Sequence, residues 1–182
     1  HRSSMGSRNL AIVVYCTIVG FAVLYATQPL LPLLAEQWGR PIGDTALLTT
    51  ATMVPLALGP LLYGYVLEHV STKHMLGVGF AVLTVAQFAI SLGPDYPVFF
   101  VLRTIEGMML PAIFTALMTY SSAAGGQHNT RRNITIYIAA TIAGGYSGRV
   151  FSGLLTDLFD WQAAFLFWAC AALLATWLTT RL

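Results

Sequence analysis

Long apolar segments alternate with short polar ones along the whole chain. Six of the apolar segments are long enough to cross a bilayer as helices, at about 10–34, 45–67, 75–92, 97–120, 134–156 and 161–181. This pattern predicts an all-α membrane protein with six transmembrane helices in one domain, residues 10–182. A start on His1 is typical of an expression tag, so residues 1–9 are interpreted as a tail, either tag-derived or cytoplasmic.

Two oppositely charged residues, Arg103 and Glu106, lie inside the apolar segment 97–120. Counted from Pro97, Arg103 lies ~9 Å deep and Glu106 ~14 Å, near the midplane of a ~30 Å hydrocarbon core. Their spacing of three places them on one helix face, where they can pair. A charge at this depth costs several kcal/mol unless it faces protein or water. The pair is interpreted as a substrate or proton site, and a structural ion pair between helices is the alternative.

Polar residues also enter three other spans. Tyr25 and Gln28 share a face of the first span, and Thr49 and Thr52 share a face of the second. Arg149 interrupts the fifth span, whereas the third and sixth spans have no charge in their apolar segments. Four polar-lined helices and two apolar ones indicate two three-helix units, each with a peripheral third member. Such a pattern is typical of an inverted repeat.

The composition excludes several classes of function. The chain is 57% hydrophobic and 9% charged, whereas a soluble domain carries ~25% charged residues. The Lys and Arg residues are scattered, so no basic nucleic-acid surface is expected. No Ser/His, paired-Asp or metal-ligand constellation lies at membrane depth, so we expect no enzyme, no cofactor and no metal site.

Basic residues are distributed unevenly between the two sides of the predicted bundle. Six spans put both termini on one side, together with the basic residues Arg2, Arg8, Lys73, Arg131, Arg132 and Arg181. The opposite side has one base, Arg40, among five acids. The positive-inside rule then predicts that both termini are cytoplasmic.

Several stretches resemble one family of transporters, the major facilitator superfamily. The end of the first span, residues 25–32 (YATQPLLP), is similar to many bacterial drug or sugar exporters of this family. After the second span, Gly64 and Lys73 match the family's signature loop. Glu68 replaces the usual Asp of that loop, and Ser71 replaces its second Gly.

Two further helices carry the resemblance. Arg103 and Gly107 match the fourth-helix motif, whose Arg is linked with proton coupling in the family. Residues 160–165 (DWQAAF) resemble the start of the family's sixth helix, with Gln162 in place of Arg.

The fifth span resembles the glycine motif of the family's proton antiporters. Gly144 and Gly148 match that motif, while Gly145 stands where Pro is usual and Arg149 where a second Gly is usual. The run Gly-Gly-x-x-Gly-Arg resembles a bacterial subgroup of the family more closely than it resembles the antiporter motif. The predicted role of Gly107, Gly144, Gly145 and Gly148 is close helix packing.

The resemblance implies half of a major facilitator fold, the N-terminal six helices of a proton-coupled secondary transporter. It also implies a multi-pass protein of the bacterial inner membrane that exports drug-like or sugar-like solutes. Glu106 is the candidate protonated carboxylate and Arg103 its regulator. Arg149 is either a ligand for an anionic or hydroxyl-rich solute or a charge that neutralises Glu106. Hydrogen bonds to the solute are expected from Tyr25, Gln28, Thr49 and Thr52, and cytoplasmic gating from Gly64, Glu68 and Lys73.

Several accounts of the 182-residue chain stay open. It is an excised half, a natural half-size protein that pairs with itself, or a proteolytic remnant. A lone half would expose its charged cavity face to lipid, so its expected partners are a C-terminal half or a second copy. The alternative function is a self-associating structural module without transport.

Overall fold

Helices make up almost all of the described chain. The computed structural model describes residues 6–123 and 126–182, so residues 1–5 of the predicted tail lie outside it. The α-helices of the described part are α1 (Ser7–Ala26), α2 (Leu31–Trp38), α3 (Ile42–Val66), α4 (Thr72–Ser91), α5 (Tyr96–Ala123), α6 (Gly126–Leu158) and α7 (Trp161–Thr179). The predicted all-α class is confirmed.

The first predicted span is broken into α1 and α2 where proline enters it. Pro29 has no amide N–H to donate to the carbonyl of Tyr25 four residues earlier. A 3-10 turn, Gln28–Leu30, replaces the α-helical pattern at this point. The helix resumes as α2 and ends at Gly39, whose φ of 62° lies in the left-handed region that favours glycine. The first span therefore departs from the regular α-helical hydrogen-bond pattern partway along its length.

Five segments of the described chain are long and apolar enough to cross a membrane, namely Ser7–Trp38, Ile42–Val66, Thr72–Ser91, Tyr96–Ala123 and Trp161–Thr179. α6, which contains the predicted span 134–156, is the longest helix at 33 residues and is more polar than the others. It packs along α1 more extensively than against any other helix. The packing of α6 along α1 brings Arg149 to the first span.

The three most extensive helix packings fit the predicted repeat. Among the described helices, the most extensive contacts join α1 to α6, α4 to α7 and α3 to α5. In the predicted repeat, α1, α3 and α4 of one unit correspond to α5, α6 and α7 of the other. Exchange of the two units therefore converts the α1–α6 pair into the α5–α3 pair and leaves the α4–α7 pair unchanged. A pseudo-two-fold relation between two three-helix units has this consequence.

Glycines allow the two exchanged pairs to touch backbone to backbone. A Cβ on Gly148 of α6 would lie 2.6 Å from the Cα of Ala22 in α1. A Cβ on Gly107 of α5 would lie 2.7 Å from the Cα of Thr52 in α3. Gly144 approaches the α1 backbone in the same way. Since packed interiors leave no room for such contacts, a side chain here must displace a helix.

An aromatic cluster fixes α2 at the end of the bundle away from the termini. The ring centroid of Phe99 on α5 lies 5.2 Å from that of Trp38 on α2 and 5.8 Å from that of Trp161 on α7. Nε1 of Trp161 donates a hydrogen bond to Oε1 of Gln37 at 2.7 Å. With α2 held on α5 and α7, the break between α1 and α2 has a defined position.

Candidate functional site

A buried ion pair joins Arg103 and Glu106 on α5. Nη1 of Arg103 donates to Oε1 of Glu106 at 2.7 Å. The two residues are 1% and 0% exposed, so both charges face protein and not lipid. Because the two residues lie three positions apart, which is close to one helical turn, their side chains lie on the same face of α5.

The same guanidinium also binds the end of α1. Nη1 of Arg103 donates to the carbonyl oxygen of Val23, and Nη2 donates to that of Leu24, each at 3.2 Å. Carbonyls in the last turn of a helix lack intrahelical donors, and a cation there also interacts favourably with the helix dipole. Arg103 therefore caps α1 at its break and links that break to Glu106.

Three polar atoms around this cap have no hydrogen-bond partner in the described structure. They are Nε of Arg103, Oε2 of Glu106 and Oγ1 of Thr27. A buried polar atom without a partner costs about 1–3 kcal/mol, and most such atoms in native proteins are paired. Atoms of this kind are available to a proton, a water molecule or a solute that reaches the site.

A small cavity collects most of the polar residues predicted for the site. Its volume is about 20 Å³, which is room for about one water molecule. The walls come from the α1–α2 break, from α3 and from α5, with the lining residues Leu24, Tyr25, Thr27, Gln28, Thr49, Thr52, Met53 and Arg103. Five predicted residues from three helices thus meet around one space.

Arg149 reaches the same break from the other side. Its Nε donates to Oε1 of Gln28 at 2.8 Å, and its guanidinium carbon lies 4.3 Å from the ring centroid of Tyr25. Gly145 packs beside the Tyr25 ring, where a Cβ would lie 3.3 Å from a ring carbon. Arg149 is exposed and forms no ion pair with any described carboxylate. It does not neutralise Glu106, which is paired with Arg103.

The three residues predicted for gating lie at the opposite end of the bundle from this cavity. Gly64, near the end of α3, and Glu68 and Lys73, in and after the following turn, are all exposed. Within the described residues, Glu68 and Lys73 do not form an ion pair. Their side chains are therefore open to a partner outside this part of the chain.

The sequence reasoning missed Thr27 and the carbonyls of Val23 and Leu24. Pro29 indicates a break in the span, but the carbonyl that lacks an α-helical donor because of it is that of Tyr25, so the sequence does not single out Val23 or Leu24. Thr27 lies between Tyr25 and Gln28 and so faces a different direction on an unbroken helix. The 3-10 turn changes that direction and brings Thr27 to the cavity.

The chain matches known proteins over nearly all of its length. The sequence model of the Major Facilitator Superfamily matches residues 13–182. The "Inner membrane transport protein YnfM" of Escherichia coli is 26% identical, with 84% of this chain aligned to 37% of that protein. The "Uncharacterized MFS-type transporter YybF" of Bacillus subtilis is 27% identical over 79% of this chain and 36% of that protein.

A further relative, matched over a shorter stretch, is the "Organic cation transporter 1" of Caenorhabditis elegans. It is 30% identical over 71% of this chain but only 19% of its own length. The chain spans a little over a third of the length of the bacterial relatives it matches. The match to the family model thus extends from within α1 to the end of α7.

Proposed function

Because the chain belongs to the Major Facilitator Superfamily, we propose that it forms the N-terminal six-helix half of a secondary transporter that moves a small organic solute by alternating access. The gathering of Tyr25, Gln28, Arg103 and Arg149 at one break in the first span carries this proposal. Helix breaks that line a cavity near the membrane midplane are where secondary transporters bind their solutes and coupling ions. Its curated relatives are named as transporters, which also supports the proposal and disfavours an enzyme.

The other half of the solute site is proposed to come from a C-terminal six-helix domain or from a second copy of this chain. A cavity of about 20 Å³ is too small for an organic solute, so the solute must contact a second wall. Exposed apolar side chains on α3 and α6, such as Leu58, Leu61, Ile142 and Tyr146, supply a surface for that wall.

Protons are the proposed coupling ion, and Glu106 is their proposed carrier. Its carboxylate is fully buried, one of its oxygens has no partner, and the other is bound by Arg103. Protonation of Glu106 removes the charge that holds the Nη1 group, so Arg103 is left with the α1 carbonyls as its partners. Proton transfer would thus alter the contact between α5 and the end of α1.

Arg149 is the proposed ligand for the solute. Its charge is exposed, unpaired among the described carboxylates, and held in position by Tyr25 and Gln28. A planar guanidinium in that arrangement binds carboxylates, phosphates or sugar hydroxyls well. The solute is therefore proposed to be anionic or rich in hydroxyls, with export inferred from the resemblance of residues 25–32 to exporters.

The proposed location is the bacterial inner membrane, with both termini in the cytoplasm. The uneven distribution of basic residues supports this orientation, and one relative is named as an inner membrane protein. In this orientation the loop from Gly64 to Lys73 faces the cytoplasm, where its exposed Glu68 would contact the other half as a gate.

Proton coupling can be tested in proteoliposomes that contain the full-length transporter and a trapped pH-sensitive dye. Organic anions and sugars are added outside, and both proton movement and solute counterflow are recorded. Glu106→Gln should lose solute-driven proton movement but keep solute counterflow, because only the proton carrier is removed. Asp157→Asn, which changes an exposed carboxylate, should keep both activities.

Two results would count against these proposals. Proton movement that persists in Glu106→Gln would rule out this carboxylate as the carrier. A wild-type protein that neither binds nor moves any of the solutes would favour the structural module. The mass of this chain in detergent, corrected for bound detergent, distinguishes the two partners, because a defined dimer indicates a second copy.

A further inference from the structure

An open groove separates α1 from α7 at the end of the bundle where α1 begins and α7 ends. Its volume is about 520 Å³, and its walls are mainly apolar, formed by Ala11, Ile12, Tyr15, Trp177 and Leu178. The hydroxyl of Tyr15 donates to the carbonyl oxygen of Ala171 at 2.8 Å. This bond joins the two helices and closes the deep end of the groove.

Two arginines stand at the mouth of this groove. Nη2 of Arg8 donates to the carbonyl oxygen of Arg181 at 2.9 Å. The guanidinium carbon of Arg181 lies 4.7 Å from the ring centroid of Trp177, whose side chain is exposed. Neither arginine forms an ion pair with a described carboxylate. The mouth therefore has two positive charges held in position and not neutralised by this part of the chain.

Along its length the groove changes from charged to apolar, as a lipid does. From Arg8 to Tyr15, α1 advances seven residues, or ~10 Å at ~1.5 Å per residue. The charged mouth lies at the end of the spanning segment and the apolar walls lie within it. A tryptophan at this level is typical of the interface between headgroups and hydrocarbon. Polar atoms at the surface and apolar walls below have the order of a phospholipid from headgroup to acyl chain.

We infer that this groove binds an anionic phospholipid, with its phosphate between Arg8 and Arg181 and one acyl chain along the apolar walls. Basic pockets between transmembrane helices bind lipid headgroups of this kind. A neighbouring groove beside α7 has Lys73 and His74 in its wall, which adds positive charge to the same surface. The inference needs only a bilayer around α1 and α7 and does not depend on transport.

Native mass spectrometry of the purified protein with phosphatidylglycerol or phosphatidylcholine tests the site. The wild type should retain phosphatidylglycerol in preference to phosphatidylcholine. The double variant Arg8→Gln/Arg181→Gln should bind phosphatidylglycerol roughly 30-fold more weakly, since each arginine near the membrane surface contributes on the order of 1 kcal/mol. Ala11→Phe should also reduce binding, because its ring occupies the space of the acyl chain while both arginines remain.

Arg131→Gln/Arg132→Gln is the matched control, because it removes the same charge at the same end of the bundle from α6. It should keep the wild-type affinity. Equal losses in the two double variants would overturn the site, since binding would then follow net charge alone. Full binding by Ala11→Phe, or displacement of the lipid by excess inorganic phosphate, would also overturn it, because the groove would then hold no acyl chain.

Discussion

Replacing Gly148 by alanine should force α6 away from α1. The new Cβ would lie 2.5 Å from the carbonyl oxygen of Ala22 and 2.6 Å from its Cα, whereas carbon atoms pack at about 3.5–4.0 Å. Both atoms belong to a helix backbone, so no rotamer change relieves the contact. Overpacking costs about 1–3 kcal/mol, and the better helix propensity of alanine returns up to ~1 kcal/mol. Taking the upper end for a backbone contact, Gly148→Ala destabilises the fold by about 2 kcal/mol.

Gly153→Ala on the same helix is the matched control. No atom outside its own helix turn lies within 4 Å of a Cβ at this position, so only the gain of up to ~1 kcal/mol remains. Thermal unfolding in detergent, followed by tryptophan fluorescence, compares the two variants. At about 2–4 °C per kcal/mol for a chain of this size, Gly148→Ala should lower Tm by ~4–8 °C and Gly153→Ala should raise it by ~1–4 °C.

Shifts of Tm in the same direction would refute this reasoning, because the contact of Gly148 with α1 would then have no energetic consequence. Arg149 supplies a second readout, since it is the next residue and reaches Gln28 across the same interface. Solute affinity should fall in Gly148→Ala and stay unchanged in Gly153→Ala.

Three other variants have separate expected outcomes. Arg103→Met should lower the free energy of unfolding by about 3–5 kcal/mol, because it leaves Glu106 buried and unpaired. The double variant Arg103→Met/Glu106→Gln should recover part of that loss in the same unfolding assay, and a double variant less stable than the single one would contradict this. Arg149→Lys should weaken solute binding in a titration, since lysine keeps the charge but not the planar contacts. Its effect on Tm should be smaller than the effect of Arg103→Met. Ser71→Ala should lower Tm by ~2–4 °C, because such a cap contributes about 1 kcal/mol. In the wild type, Oγ of Ser71 accepts a hydrogen bond from the amide of His74 at the start of α4. An unchanged Tm would contradict a stabilising role for this cap.

The sequence was sufficient for features that depend on spacing within one helix. Arg103 and Glu106 pair as their separation of three predicts, and their depth in an apolar segment predicts burial. The alternation of apolar and polar segments likewise predicts the all-α class, which is confirmed. These inferences hold because the α-helix has a fixed geometry wherever it occurs.

Contacts between helices were not available from the sequence. Nothing in the spacing of Arg149 and Gln28, 121 residues apart, indicates their hydrogen bond. That bond depends on the close approach of α6 to α1 at Gly148, which is a tertiary contact. Pro29 indicates a break in the first span, but the 3-10 turn that brings Thr27 to the cavity depends on where α2 packs.

Because Arg103 caps α1, its side chain is a hydrogen-bond partner of two helices at once. Arg103 divides its donors between a carboxylate on its own helix and two carbonyls at the end of another. In mechanical terms, the break in the first span is a joint, and the part that keeps it closed belongs to α5. The length of the first span that behaves as a rigid rod therefore depends on the charge balance of a different helix.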